Sequence, residues 1–220
     1  MSVSPRPPVG AVLRGLLAVL ALVALLVPAL VVATVPAGAA GVGGASSASA
    51  VAAEPSAKKK KSGCAAKGKK FRPTTLGVKK VTKARTVLAL GRDSRNVPRS
   101  PPLSDRGKWQ LAWDAQDNIK AGAKRGVIKM NAHTYPDGSA LGNLLINNLY
   151  DGAKIVVRGA RGQQRCYEVI ARVQVPAEKR YKRYYRTDGP GRLAIAVCSG
   201  VRRGSGDWSH RTVWFAKPLR

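Results

Sequence analysis

Three cysteines, Cys64, Cys166 and Cys198, are the side chains in this sequence best suited to nucleophilic chemistry. Because the number is odd, at least one thiol stays unpaired within a single chain. If Cys64 pairs with Cys166, the free thiol is Cys198. That residue ends an apolar run, residues 193–197, and a Ser-Gly pair typical of a loop start follows it. The sequence therefore offers one candidate nucleophile at the end of a predicted strand.

A thiol that attacks a carbonyl group needs two further catalytic groups, a proton donor and a group that stabilises the oxyanion. The thiolate forms a thioester and passes the acyl group to a second nucleophile. An imidazole suits protonation of the departing amine, and a guanidinium suits the charge that develops on the carbonyl oxygen. The candidates are His133, which leads from an apolar run into a turn at 135–138, and Arg211, at the start of the last strand-like segment.

Residue type alone does not assign these roles. A cysteine at a strand end is commonly a small buried apolar residue, and a histidine in a turn is commonly a surface residue. We expect His210 to be a surface residue as well, because alternation along a strand turns it away from the face of Arg211. The two histidines and the scattered carboxylates have no metal-ligand spacing, and we expect neither a metal nor a cofactor.

The segments that would position these groups are short and rich in β-branched and aromatic residues. A short helix is predicted at 141–150, and a long surface loop rich in Pro, Ser and Arg at 92–107. The strand-like segments are residues 127–130, 155–157, 167–173, 193–197 and 212–216. Strands of this length at this spacing predict an all-β barrel or sandwich.

One pattern links the three candidate groups through a known family. Residues 194–198, Ala-Ile-Ala-Val-Cys, are followed after twelve residues by Arg-Thr-Val-Trp-Phe-Ala at 211–216. This pattern resembles the C-terminal signature of sortases, in which an apolar strand ends in cysteine and a loop leads to an Arg-x-x-x-x-Ala strand. His133 stands 65 positions before Cys198 in a strand-then-turn setting similar to that of the family's histidine. Residues 140–157 and 162–169 resemble the family's short helix and following strands.

The resemblance implies an eight-stranded β-barrel with one or two short helices and a cysteine transpeptidase activity. Its substrates would be exported proteins that carry a C-terminal sorting signal similar to Leu-Pro-x-Thr-Gly, cut after Thr. Cys198 would attack the threonyl carbonyl, His133 would protonate the departing amine, and Arg211 would bind the carbonyl oxygen or position the peptide. A peptidoglycan precursor or another amine would accept the acyl group. The subclass that looks most similar is class E or F of high-GC Gram-positive bacteria.

The sequence departs from the family pattern beside two of these residues. Val197 and Ala194 stand where the family commonly has threonine, and Ala132 stands where glycine commonly precedes the histidine. A threonine contribution to the oxyanion site is therefore missing, which leaves backbone N–H groups and Arg211. These changes bear on efficiency and substrate preference more than on the class of reaction.

The N-terminal region predicts export. Arg6 and Arg14 precede an uncharged run, Gly15 to Val35, and Ala37-Gly38-Ala39 resembles a signal-peptidase site. A retained membrane anchor is the alternative, since the run is long enough to span a bilayer. We predict a signal peptide or anchor at 1–40, a flexible basic linker at 41–72 and a sortase-like catalytic domain at 73–220, outside the cytoplasm.

The formal charge of +28, from 39 Lys and Arg against 11 Asp and Glu, favours polyanionic surroundings. No nucleic-acid-binding motif is present and aromatic residues are 5% of the chain, so we expect an anionic wall or membrane surface rather than nucleic acid. Two other functions stay open. One is a non-enzymatic basic β-barrel that binds anionic wall polymer. The other is an L,D-transpeptidase-like wall enzyme, although the Ser-His-Gly-Cys motif usual there is absent around Cys198.

Overall fold

Eight strands paired edge to edge around a ring dominate the part of the chain that the computed structural model describes, residue 64 and residues 66–219. The strands are β1 (Thr75–Val78), β2 (Thr82–Leu90), β3 (Leu111–Asp114), β4 (Val127–Ala132), β5 (Lys154–Arg158), β6 (Gln164–Pro176), β7 (Arg192–Gly204) and β8 (Asp207–Pro218). Helix α1 spans Leu141–Asn148, and a 3-10 turn spans Gly107–Trp109. The predicted all-β barrel with a short helix is confirmed.

The ring runs in the order β1-β2-β3-β4-β7-β8-β6-β5 and closes on itself. Neighbouring strands pair antiparallel except β2 with β3 and β4 with β7, which are parallel. Closure removes the unpaired strand edges that an open sheet would leave exposed. In this order β7 lies opposite β1, so their outer faces look in opposite directions.

Alternation along the strands divides the side chains between an interior and an outer face. Trp113, Tyr167 and Trp214 fill the interior together with every second residue of β4 and β7. The interior positions on those two strands are Ile128, Met130, Ala132, Leu193, Ile195 and Val197. Helix α1 packs Leu141 and Leu145 onto the same core.

Residues before β1, within the predicted linker at 41–72, also contact the barrel. Lys67 and Gln164 exchange backbone hydrogen bonds of 2.9 and 3.0 Å, and Phe71 exchanges a similar pair with Ala121. Phe71 holds this segment against the barrel, because its large apolar ring packs into the core and is only 5% exposed. The basic composition of this segment gave no indication in the sequence that Phe71 would be part of the core.

The predicted signal peptide or anchor at 1–40, and the linker up to residue 63, lie outside the described residues. Among the residues that are described, no helix has both the length and the apolar character needed to cross a membrane.

Candidate active site

Two of the three candidate residues lie on the neighbouring strands β7 and β8, and the third, His133, directly follows the end of β4, the other neighbour of β7. Cys198 on β7 is directly opposite Arg211 on β8. Ala132 and Val197 form the last pair between β4 and β7, so His133 and Cys198 occupy the next position of that register. Because Ala132 and Val197 point into the core, the residues that follow them leave on the outer face. Sequence positions far apart are thus brought to one surface.

Cys198 is the free thiol of the chain, since Cys64 and Cys166 form a disulfide whose Cα atoms are 6.0 Å apart. The Cys198 side chain is half-buried. Burial raises the pKa of its thiol above the ordinary value, and the positive charge of Arg211 offsets part of that rise. The thiol form therefore dominates at neutral pH, and Arg211 is the cation that favours the reactive thiolate.

Arg211 is held by two backbone carbonyls. Its Nη1 donates to the carbonyl oxygens of Trp208 at 3.3 Å and His210 at 3.0 Å. Within the described residues its Nε and Nη2 donate no hydrogen bond, so they remain for a ligand carbonyl. His210, one residue earlier, pairs with Ser199 on the other face of the sheet, and its Nδ1 lies 2.8 Å from the Ser209 hydroxyl oxygen.

His133 is oriented by a backbone carbonyl of the β2–β3 loop, residues 91–110. Its Nε2 lies 2.6 Å from the carbonyl oxygen of Pro101. Since a carbonyl only accepts, Nε2 carries the proton that it donates. The other ring nitrogen, Nδ1, is then the atom that can exchange a proton with a substrate. No residue-type signal in the sequence could have revealed this contact, because the partner is main chain.

Helix α1 and strand β7 fix the backbone around His133. The Thr134 hydroxyl donates to the Cys198 carbonyl oxygen at 2.7 Å, which joins the two candidate residues through their backbone. The Gly142 N–H donates to the His133 carbonyl oxygen at 2.7 Å. A Cβ at Gly142 would lie 2.3 Å from that same oxygen, so only glycine fits here. Thr134 is absent from the residues predicted from the sequence, because its role depends on register alone.

The β2–β3 loop runs alongside β4 and contacts side chains on its outer face. Besides the contact at His133, the Arg99 carbonyl accepts from the side-chain amide of Asn131 at 3.1 Å. Two residues further back, Lys129 joins an ion network that also holds Arg92 at the beginning of the loop. The loop is thus attached at Asn131 and His133 directly, and at Lys129 through the shared aspartates.

The ion network is buried, which makes it a structural element rather than a surface feature. The side chains of Lys129 and Asp114 are 1% and 0% exposed. Lys129 Nζ lies 2.5 Å from Asp117 Oδ2, and Arg92 Nη2 lies 2.6 and 2.5 Å from Asp114 and Asp117. Burial acts to raise the pKa of Asp117, but Lys129 and Arg92 outweigh it, and the net shift is downward. Two cations and two anions therefore compensate one another.

A second loop, β6–β7 (residues 177–191), covers the other side of the same face. Tyr184 packs on the outer residues Ala194 and Phe215 and donates its hydroxyl to the Met130 carbonyl oxygen at 3.1 Å. Arg183 stacks over the Phe215 ring at 4.3 Å. Phe215 is opposite Ala194. Every second pair after it lies on the same outer face, and the second of these is Cys198 with Arg211. The thiol thus lies at the end of a surface bordered by two loops.

The described residues contain no group of three or more His, Cys, Asp or Glu side chains arranged to hold a metal ion. The arrangement at Cys198 instead suits covalent acyl transfer, which needs a nucleophile, a proton donor and an oxyanion partner.

Comparison with known structures identifies the fold. Sortase C1 of Streptococcus agalactiae, in complex with MTSET, superposes with a TM-score of 0.50 at 11% identity, over 67% of this chain and 69% of that one. The chain has the sortase fold. Sortase A of Listeria monocytogenes (TM-score 0.48, 15% identity, 66% of this chain and 86% of that one) and sortase C-1 of Actinomyces oris (0.48, 17%, 66% and 71%) are also similar. No protein-family model matches the sequence, and no curated protein matches it either.

Proposed function

We propose that this protein is an exported cysteine transpeptidase of the sortase kind, with Cys198, His133 and Arg211 as catalytic residues. The observation that carries the proposal is the position of the free Cys198 thiol. It is opposite Arg211 and next in register to His133, on the outer face of a barrel with the sortase fold. Cys198 on β7, Arg211 on β8 and His133 directly after β4 each fill one of the three chemical roles.

In the first half-reaction the Cys198 thiol passes its proton to Nδ1 of His133, and the resulting thiolate adds to the carbonyl carbon of the scissile peptide bond. A sulfur–carbon bond forms, and the carbonyl electrons move to the oxygen, where the free donors of Arg211 bind the charge. Collapse breaks the carbon–nitrogen bond. The departing amine takes its proton from protonated His133, through Nδ1 because Nε2 is engaged by Pro101.

In the second half-reaction an amine acceptor attacks the thioester. His133 takes a proton from the attacking amine, the new amide bond forms, and Cys198 leaves as a thiolate. Water in place of the amine would give hydrolysis. Because Val197 has no hydroxyl group, Arg211 and backbone N–H groups are the available donors to the carbonyl oxygen.

The finer proposals follow from the sequence resemblance. The substrates are exported proteins with a sorting signal similar to Leu-Pro-x-Thr-Gly, and the acceptor is a peptidoglycan precursor or another wall amine. The protein acts outside the cytoplasm, at the membrane or wall, as a class E or F type enzyme. An extended peptide fits a surface between two loops, and the β2–β3 and β6–β7 loops border the surface beside Cys198.

A peptide-cleavage assay tests the proposal. The purified protein is incubated with a panel of fluorogenic sorting pentapeptides, with and without an amine acceptor, and the products are identified by mass spectrometry. We expect cleavage by the wild type, a ligated product when amine is present, and neither with Cys198→Ala. Arg202→Ala, which removes an exposed arginine from the same strand as Cys198, serves as the matched control for Arg211→Ala. Absence of cleavage across the whole panel would favour the non-enzymatic basic barrel.

A further inference from the structure

A basic cleft of about 660 Å³ lies on the opposite side of the barrel from Cys198. It is formed by the β1–β2 hairpin, by β5 and by Cys64, Gln164 and Leu219. Its cationic side chains are Lys79, Lys80, Lys83, Lys154 and Arg158. We refer to the surface around this cleft as the tether face.

Among the residues that the structure describes, most of these cations have no partner of opposite charge. Lys154 pairs with Glu168, which also receives Lys217 at 3.5 Å. The side chains of Lys79, Lys80, Lys83 and Arg158 are exposed and form no ion pair with any residue that the structure describes. Their like charges repel one another, so an anionic partner that neutralised them would be attracted to this surface.

The disulfide places Cys64, the first residue that the structure describes, on this same face. Cys64 lines the cleft and is bonded to Cys166 on β6. Only 28 residues separate Cys64 from Val35, the end of the uncharged apolar run. A random-coil chain of that length has an average end-to-end distance of about 30 Å. A bilayer that held the run would therefore lie near the tether face.

An exposed aromatic residue extends the tether face. Tyr150 is 57% exposed and borders a second cleft that shares Lys80 and Val81 with the first. Tyrosine is enriched at the headgroup level of membranes, because its ring is amphipathic. Lysine and tyrosine side by side on one uncovered surface are a combination suited to a lipid interface.

From the charge, the disulfide and Tyr150 we infer that the tether face binds the surface of an anionic phospholipid bilayer. The opposite side of the ring carries Cys198, His133 and Arg211, and we refer to it as the catalytic face after the activity proposed for it. That face then points away from the membrane. This inference goes beyond the proposed transpeptidase activity and does not depend on it, since neither Cys198 nor His133 contributes to the tether face.

Lysine footprinting of the full chain tests the inference. The protein is reconstituted into nanodiscs of phosphatidylcholine, or of phosphatidylcholine with phosphatidylglycerol, then acetylated briefly and analysed by peptide mass spectrometry. We expect acetylation of Lys79, Lys80 and Lys83 to fall about fivefold in the anionic discs. High salt should restore it. Lys179 and Lys182, exposed on the β6–β7 loop, are the internal controls and should not change.

Charge reversal distinguishes the tether face from general basicity. In the variant with Lys79→Glu, Lys80→Glu and Lys83→Glu, acetylation of the remaining lysines of the cleft, such as Lys154, should be the same in neutral and anionic discs. In the control variant with Lys179→Glu and Lys182→Glu, that acetylation should still be lower in the anionic discs. Equal melting temperatures confirm that both variants are folded. Equal protection of both faces, or no protection, would overturn the inference. So would the same protection in neutral discs on addition of poly(glycerol phosphate), because a wall polymer would then be the ligand.

Discussion

The catalytic face and the tether face are both basic, but they use their charges differently. On the catalytic face Lys129 and Arg92 are compensated by Asp114 and Asp117. Arg183 stacks on an aromatic ring, and Arg211 is held by two carbonyls. On the tether face the lysines of the β1–β2 hairpin are exposed and unpaired within the described residues. Paired charges fix geometry at short range, whereas unpaired charges act at a distance and are screened by salt. The charges of the catalytic face therefore hold side chains in fixed positions, whereas those of the tether face are free to attract an anionic partner.

The largest effect is expected from the histidine on the catalytic face. His133→Ala should lower peptide turnover by about 100- to 10,000-fold, the range for loss of a general acid. His210→Ala should leave turnover close to the wild-type value, because His210 lies on the other face of the sheet. Steady-state kinetics on the fluorogenic peptide measures both variants. A similar loss in both variants would contradict the assignment of His133.

Breaking the buried ion network should destabilise the catalytic face strongly. Lys129→Met removes one of the two cations that lie 2.5 Å from Asp117, while Arg92 stays in place. Removing one partner of a fully buried pair costs about 3–5 kcal/mol, and we expect a loss below that range because Arg92 still compensates Asp117. Urea unfolding followed by tryptophan fluorescence measures the loss. Lys179→Met is the matched control, since that lysine is exposed on a loop and its replacement should not measurably change the free energy of unfolding. Equal stability of the two variants would show that the network contributes nothing.

The same network predicts a loss of stability in acid. The folded-state pKa of Asp117 is lowered, so its contribution is complete above the unfolded-state value of about 3.9. The contribution is then lost as the pH falls through the folded-state pKa. Lys129→Met should flatten this part of the stability curve, measured as urea midpoint against pH. An unchanged curve in the variant would contradict the role of Lys129.

The disulfide on the tether face should affect stability but not chemistry. It joins residues 102 positions apart, and a native disulfide typically stabilises by about 2–4 kcal/mol. Cys64→Ala combined with Cys166→Ala should lose that amount, and dithiothreitol should lower the wild type to a similar melting temperature. Turnover at 25 °C by the folded fraction should stay the same. A large drop in turnover would show that the two faces are coupled.

The smallest expected effect concerns the thiol itself. Because burial raises the pKa of Cys198 and Arg211 lowers it in part, Arg211→Ala should raise that pKa further. Alkylation by iodoacetamide at neutral pH should slow several-fold, and the rate should rise with pH as the thiolate forms. Arg202→Ala should leave the profile unchanged. A faster reaction in Arg211→Ala would mean that Arg211 does not stabilise the thiolate.

Local patterns predicted part of the fold and long-range pairing determined the rest. The strands at β4, β5, β6, β7 and β8 were predictable because β-branched residues and turns define them. Strands β1, β2 and β3 were not predicted. Strand β2 has only one buried residue and contains Lys83 and Arg85, and β1 and β3 have four residues each. The parallel β4–β7 pair joins segments about 65 residues apart, and no local pattern encodes such a register.

The candidate site shows the same division. Cys198 could be proposed from cysteine parity and from the family resemblance, together with His133 and Arg211. The Pro101 carbonyl and the Thr134 hydroxyl could not, because one is main chain and the other is an ordinary turn residue. The Arg92–Asp114–Asp117–Lys129 network was also unforeseen. Its members are common surface residue types that only the barrel brings together.

The intact mass of the protein after brief incubation with a sorting peptide, without an amine acceptor, tests the central claim most directly. A thioester on Cys198 would add the mass of the peptide up to its cleavage site, minus water. We predict that this adduct forms in the wild type, maps to the Cys198 peptide, disappears on addition of hydroxylamine and is absent from Cys198→Ala. An adduct elsewhere, or cleavage that persists in Cys198→Ala, would contradict the assignment of Cys198 as the nucleophile.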